Sequence, residues 1–576
     1  MGHTSPKIIS VALLALIATG ACAPDEGGAA VDKAQITQIA ASQSGNFLAG
    51  RYAQKNNDFR SAAAFLGWAL EKNPDNKFLL QNAFLSRVAD GAIKEAIPLA
   101  REINKRQLRT PTAELILLVD AVAREAYSDA NRLLGDFSGQ GLVGYMKSMM
   151  GAWIKIGQAS DIKGAIQMLS LMKDLPNFGL LYQFHAALMA DVAGMTEKAS
   201  GHFKLASGKV FQPTFRVVQG FGLHLERTGK KAQAKTLYDN YLSENRVSVG
   251  FDLALRRPDG EERAPMLVST AAEGVAEVLF YLASVALRRD SQRDALVFGQ
   301  LALYLRPDFD LARMLVAGIL EGMGRTENAI AVYRAVDKRS AFFWSARLAV
   351  ADNLEALDRD DEAIRLLRGL AKEDTVRAEP LVSLGDILRS NKRFKESVFA
   401  YDRAIARLPD LNKNHWPILY SRGISLERSK QWKRAELDFK HALKLEPNQP
   451  YVLNYLGYSW VDQGINLYRA RKMIERAAKL RPTDGYIVDS LGWVLFRMRD
   501  FKAAVHQLER AVELRPNDPT INDHLGDAYW QVGRYIEARF QWKRALALKP
   551  EEDRVSIIET KLLHGLKAED GGEKDS

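Results

Sequence analysis

The feature that most constrains this chain is a period. Leu491 opens the segment LGWVLFRMRDFKAAVHQLERAVELRP and Leu525 opens LGDAYWQVGRYIEARFQWKRALALKP; Gly492 aligns with Gly526, Ala504 with Ala538, Ala511 with Ala545 and Pro516 with Pro550, each pair 34 residues apart. Far upstream, Gly50, Phe59, Ala62, Leu66, Ala69 and Pro74 keep the same offsets. The small residue near the start of each second helix runs Ala62, Ala96, Ala130, Ala165, Ala199, Ala234, Ala295, Ala329, Ala363, Ser397, Ala435, Ala470, Ala504 and Ala538. Successive spacings are 34 or 35 except for 61 after Ala234 and 38 after Ser397. A repeat of this length holds two short antiparallel helices that cannot bury their apolar faces alone, so each pair leans on the next and backbones approach closely only at small side chains.

This is the tetratricopeptide period. The sequence therefore predicts an all-α, right-handed superhelical solenoid of about 14 helix pairs. One array runs over 43–245 and a second over 266–550; between them, 246–265 is an insertion loop containing Arg256-Arg257-Pro258-Asp259-Gly260. Residues 551–566 form an amphipathic helix that caps the array, and 567–576 is a polar tail. In Pro516-Asn517-Asp518-Pro519, Asp518 is placed to accept hydrogen bonds from the free N–H groups of a new helix and Pro519 fits its first turn. Hydrophobic residues at 47% and charged residues at 26% exclude a disordered chain. The net charge of +10 is spread over 576 residues without a basic cluster, so no nucleic-acid surface is expected.

The N-terminus reads as an address. Lys7 precedes the apolar run Ile8 to Ala18, and the small residues Thr19, Gly20 and Ala21 lead to Cys22, the one cysteine of the chain. Thr19-Gly20-Ala21-Cys22 resembles a bacterial lipobox, although Leu is more usual than Thr at its first position. The resemblance implies a signal peptide over 1–21, acylation of Cys22, and a lipid anchor and tether over 22–42. The alternative is a cysteine beside a conventional cleavage site. Three acyl chains would hold the protein on a membrane, and Ala23 in place of Asp resembles an outer-membrane address. Met266 to Leu287 is apolar but carries Glu273 and Glu277, and so reads as a helix with two faces and not as a membrane span.

No motif for a catalyst is present: no HExxH, no GxSxG, no GxxxxGK[ST], and nine His without an i, i+4 pair. With one Cys there is no thiolate cage, so neither a metal nor a cofactor is expected. What remains is surface. In arrays of this kind the first helix of each pair lines a concave groove, and the resemblance places there Tyr451, Asn454 and Tyr458; Tyr486, Asp489, Trp493, Phe496 and Arg497; and Asp523, Asp527, Trp530 and Gln531. Exposed aromatics beside an Arg are what a binding hot spot uses, and the acids make the groove unlike a basic clamp for a partner's terminal carboxylate. The competing reading is that Trp493, Phe496 and Trp530 simply pack between neighbouring helices.

The lipobox, the array and the run YLGYSWVDQGINLYRARKMIERAAKLRP-TDGYIVDSLGWVLFRMRDF together resemble large bacterial tetratricopeptide outer-membrane lipoproteins, one type of which is the adaptor of a periplasmic carboxy-terminal processing protease. That resemblance implies a non-enzymatic, lipid-anchored adaptor on the periplasmic face of the outer membrane, whose groove binds the protease and the peptidoglycan hydrolases it cuts. The other reading is a scaffold for envelope polysaccharide export or outer-membrane assembly. Cys22→Ser should leave the chain unlipidated and move it from the membrane to the soluble fraction; unchanged partitioning would refute the anchor.

Overall fold

The computed structural model describes residues 42–566 apart from 109, 140, 160, 171, 174–177, 209–212 and 245–263. The signal segment 1–21, Cys22, the tether up to residue 41, nearly all of the 246–265 insertion and the 567–576 tail lie outside the described residues. Among the described residues the chain is all α: 29 helices, one short 3-10 turn at Lys413–His415 and no strand. Twenty-eight of the helices form fourteen consecutive antiparallel pairs, from Gln43–Lys55 with Phe59–Lys72 to Pro519–Gln531 with Tyr535–Ala547, and Glu552–His564 follows alone. The fold is the tetratricopeptide solenoid that the period predicts.

All fourteen small positions are at most 1% exposed, from Ala62 to Ala538. Ser397, the one polar residue in that register, keeps its hydroxyl satisfied by donating to the Gly385 carbonyl at 2.8 Å, with the Ser425 hydroxyl at 2.9 Å. Opposite them, a glycine of the first helix receives a large residue sixteen positions later. A Cβ on Gly50 would lie 2.6 Å from Leu66 Cγ, on Gly492 2.5 Å from Leu508 Cγ, and on Gly526 2.5 Å from the Trp542 indole. Helix starts follow their cap chemistry: the Asp518 carboxylate accepts from the N–H groups of Thr520 and Ile521, and Asp484 accepts from Tyr486 and Ile487. The 38-residue spacing arises where the Lys413–His415 turn precedes the Trp416–Arg428 helix, with the Asn412 N–H donating to His415 Nδ1 at 3.0 Å.

The helices group into two compact units whose boundaries do not follow the chain. Among the described residues, one holds those up to Ala206 together with Val268–Asp308; the other holds those of 207–267 and those from Phe309 to 566. In the first unit the pair Ala271–Arg288 and Gln292–Leu305 leaves the sequential path and packs on first helices of earlier pairs, Ala271–Arg288 against Gly141–Ala159 and Gln292–Leu305 against Lys77–Ala89 and Pro111–Ala123. The Trp153 indole covers Gly274, where a Cβ would fall 2.0 Å from the ring, and Trp153 donates to His185 Nδ1 at 3.0 Å. Burial holds His185 neutral by pushing it down to about 3. The Tyr304 hydroxyl donates to Asp120 at 3.2 Å. This placement explains the apolar run near 266–287: Val275, Val278, Leu279 and Leu282 are all 0% exposed. Glu277, expected on a polar face, is itself buried, 3.7 Å from Arg306. Among the described residues no helix is long and apolar enough to cross a membrane.

Two glycines test the register with opposite signs. Gly492→Ala and Ala504→Leu each force an atom into a filled contact and should lower stability by about 1–3 kcal/mol. Gly369 lies exposed in the Asp360–Glu373 helix with nothing within 4 Å of its missing Cβ, so Gly369→Ala should raise stability by about 0.5–1 kcal/mol. Denaturation midpoints moving in the same direction for Gly369→Ala and Gly492→Ala would contradict the assigned contacts.

Candidate functional site: the concave face of the last repeats

The first helices of the last three pairs, Pro450–Asp462, Gly485–Arg497 and Pro519–Gln531, stack side by side in the second unit. Near their N-terminal ends the expected groove residues remain accessible. Tyr451 is 40% exposed, with the Arg481 guanidinium 5.7 Å from its ring, and Tyr486 is partly buried with Arg515 at 5.1 Å. The pattern repeats because each Arg closes the second helix of the same pair, one residue after its last turn. Asn454 is partly buried, and its Oδ1 has no hydrogen-bond partner. Arg497 reaches the Asp462 carbonyl at 3.5 Å. Tyr458 is partly buried among Asp489, Asp462, Arg554 and Arg497; burial first and then Asp489 push its phenol above the ordinary value.

Four other expected groove residues are not open surface. Asp489, Phe496, Asp523 and Asp527 are 5%, 7%, 1% and 3% exposed. Phe496, Trp493 and His524 form a stack, with ring centres 4.9 Å apart for Phe496–Trp493 and 4.0 Å for Trp493–His524, so packing between helices accounts for Trp493 and Phe496. His524 Nδ1 lies 3.0 Å from the Asp489 carboxylate. Asp527 accepts from the Trp542 indole N–H at 2.9 Å. The terminal helix Glu552–His564 supplies the cations: Lys561 Nζ donates to both Asp523 and Asp527 at 2.7 Å, and Arg554 donates to Asp523 at 2.7 Å. Ile558 of the same helix packs in the cluster that holds Phe496, Tyr529 and Trp542. Gly565, at φ +73°, sits against the Trp530 ring, and Gln531 remains exposed.

The carboxylates here are paired, and the pairing sets their protonation. Burial opposes ionisation of Asp523, but Lys561 and Arg554 together hold it below the usual carboxylate range. Asp527 shares Lys561 with Asp523, whose charge also opposes its ionisation, so burial outweighs Lys561 and His524 and pushes it up to about 6. Burial disfavours charge on His524, yet Asp489, Asp523 and Asp527 outweigh it and raise the imidazole. Reading the sequence missed the roles of His524, Arg554 and Lys561. The signal was present in Arg554, Ile558 and Lys561, spaced i, i+4, i+7 along one face of the terminal helix. No group of three or more His, Cys, Asp or Glu suited to a metal ion occurs among the described residues.

Comparison with known proteins agrees with this architecture. Residues 490–553 match the tetratricopeptide repeat model, so the last pairs carry the repeat in sequence as well as in fold. A relative, TPR repeat-containing protein PA4667 of Pseudomonas aeruginosa, is 31% identical over 113 residues, which is 19% of this chain and 18% of that protein. Among solved structures, the Cut9-Hcn1 hetero-tetramer of the APC/C is similar over 92% of this chain and 98% of that one, at 16% identity and a TM-score of 0.38. Yeast Tom70 is similar over 91% and 95%, at 14% identity and a TM-score of 0.29. Pseudomonas aeruginosa pilF is similar over 32% and 82%, at 17% identity and a TM-score of 0.28.

Lys561→Met removes the cation between two buried carboxylates and should cost about 3–5 kcal/mol, read as early denaturation of the last repeats. His524 gives a pH test. Its folded value is raised above the unfolded one of about 6.5, so its contribution is complete below that pH and is lost as pH rises through the folded value. The margin by which the native chain outlasts His524→Gln in thermal denaturation should therefore shrink as pH rises above about 6.5. A margin constant over that range would mean that His524 is not charged in the fold.

Proposed function

We propose that this chain is a non-enzymatic adaptor, anchored by lipid at Cys22 to the periplasmic face of a bacterial outer membrane, that holds protein partners along the concave face of its repeats. The partners it is read to join are a carboxy-terminal processing protease and the peptidoglycan hydrolases that serve as its substrates. The observation that carries the reading is the recurrence of Tyr451 and Tyr486, 35 residues apart on neighbouring first helices, each ring approached by an arginine and Tyr451 open to solvent. Rigid rings beside guanidinium groups supply contact area at low entropic cost, which is what a protein partner needs and a small substrate does not. Binding two partners along one surface raises their effective concentration for each other, so such an adaptor accelerates proteolysis without catalytic groups of its own. The lipobox-like run ending at Cys22 supports the envelope setting.

A photo-crosslinking residue placed at Tyr451 or Tyr486 in the native lipoprotein, followed by mass spectrometry, should recover a periplasmic protease and a wall hydrolase. Recovery of polysaccharide-export or outer-membrane assembly subunits would move the reading to that class of scaffold. A position that yields only lipid and self-adducts would overturn the adaptor.

A further inference from the structure

The terminal helix occupies more of the concave face than a cap requires. Covering the last pair needs contact with Pro519–Gln531 and Tyr535–Ala547, the contacts that a first helix of this array makes with the pair before it. Beyond these, Glu551 at the head of the helix lies 3.7 Å from Arg428, which ends the first helix of a pair three repeats earlier. Arg554 stands beside Tyr458 of the next pair and bonds Asp523 of the last, and Lys561 bridges Asp523 and Asp527. Its outward face keeps Ile557 and Leu563 exposed, at 43% and 74%. Without this helix Asp523 would lose both of its cations and Asp527 its ammonium, beside the rings of Phe496 and Tyr529, and a cationic ligand is what satisfies such a site.

We propose that this cleft is a receptor for a basic amphipathic helix of a partner protein, and that residues 552–564 are its built-in occupant, displaced when the partner binds. The recognised chemistry is the one the chain itself displays: two basic residues seven positions apart on a helix face, with an aliphatic residue between them, as in Arg554, Ile558 and Lys561. The aliphatic side chain fills the space by Phe496 and Tyr529, and the two cations divide the carboxylates. Because the attraction is ionic, the exchange weakens with salt. The proposal rests on the reading of the concave face as a protein-binding surface and names the partner's chemistry at one end of it.

The test uses the whole chain and a fluorescent synthetic peptide of residues 551–566. The native chain, already occupied, should bind the peptide poorly. A chain carrying Arg554→Glu and Lys561→Glu releases its own helix and should bind the same peptide at least tenfold more tightly, and should fail to bind a peptide carrying those two changes. Equal binding by the native and altered chains would overturn the proposal. Hydrogen exchange of the unaltered chain supplies a measurement that no mutation can confound: amides of 552–564 should exchange at least tenfold faster than those of Pro519–Gln531 and Tyr535–Ala547. Exchange of all three helices together would make Glu552–His564 a permanent cap and end the proposal. Crosslinks from Tyr451 read out the adaptor independently, so a permanent cap with partners still captured leaves the adaptor standing and removes only the latch.

Discussion

The structure depends on one steric constraint: a helix pair of about 30 residues has too little apolar surface to stand alone, and the helices within and between pairs approach closely only where a side chain is absent or small. Glycine in the first helix is the hole, and the residue sixteen or seventeen positions later is the knob. Where glycine supplies the hole the knob varies: Leu66 at Gly50, Tyr401 at Gly385, Phe439 at Gly423, Ile474 at Gly457, Leu508 at Gly492 and Trp542 at Gly526. In two of these pairs the knob carries a polar tip and the residue after the glycine is an acid that accepts from it. The Tyr401 hydroxyl donates to Asp386 at 2.7 Å and the Trp542 N–H donates to Asp527 at 2.9 Å. A buried aromatic donor left unpaired would cost about 1–3 kcal/mol, so a Gly-Asp pair in the first helix and a Tyr or Trp in the second form one packing unit.

That unit marks the border of what was legible in the sequence. The period, the number of pairs and the small positions could be read because they rest on backbone approach, which tolerates only Gly, Ala and Ser and so leaves a mark at fixed spacing. The orientation of the acids could not. In LGDAYW the residue after the glycine lies on a first helix and reads as an acid lining a groove, yet Asp527 faces the indole of its own pair and the ammonium of Lys561. Asp489 is similar: its partner His524 belongs to the next repeat, and no local pattern links positions 35 residues apart. Tyr451 kept its expected exposure because it lies in the first turn of its helix, beyond the reach of the terminal helix.

The path of the chain through its compact units was also outside the reach of periodicity. The break of 61 residues after Ala234 announced a departure without saying where the next pair would go. Repeat arithmetic treats every pair as packing on its predecessor, and the pair Ala271–Arg288 and Gln292–Leu305 instead packs on first helices of pairs several repeats earlier. The sequence sign of that choice was the uniform apolarity of the helix, whose faces are covered on both sides. Glu277 concealed it, since a buried acid paired with Arg306 looks in sequence like a residue on a solvated face.

Each unit thus lays one of its own helices on the first-helix face of its repeats, but by different physics. In the first unit the contact is close-packed hydrocarbon, with Val275, Val278, Leu279 and Leu282 at 0% exposure and Gly274 pressed to the Trp153 ring. Withdrawing that helix would expose a core, and no soluble partner offers the same shape. In the second unit the terminal helix contributes one fully buried aliphatic side chain, Ile558, and two cations on two carboxylates. Water and another protein's basic side chains compete for carboxylates far better than for a packed indole. Exchange of the kind proposed is therefore confined by chemistry to the C-terminal unit, which carries the face on which Tyr451 and Tyr486 lie.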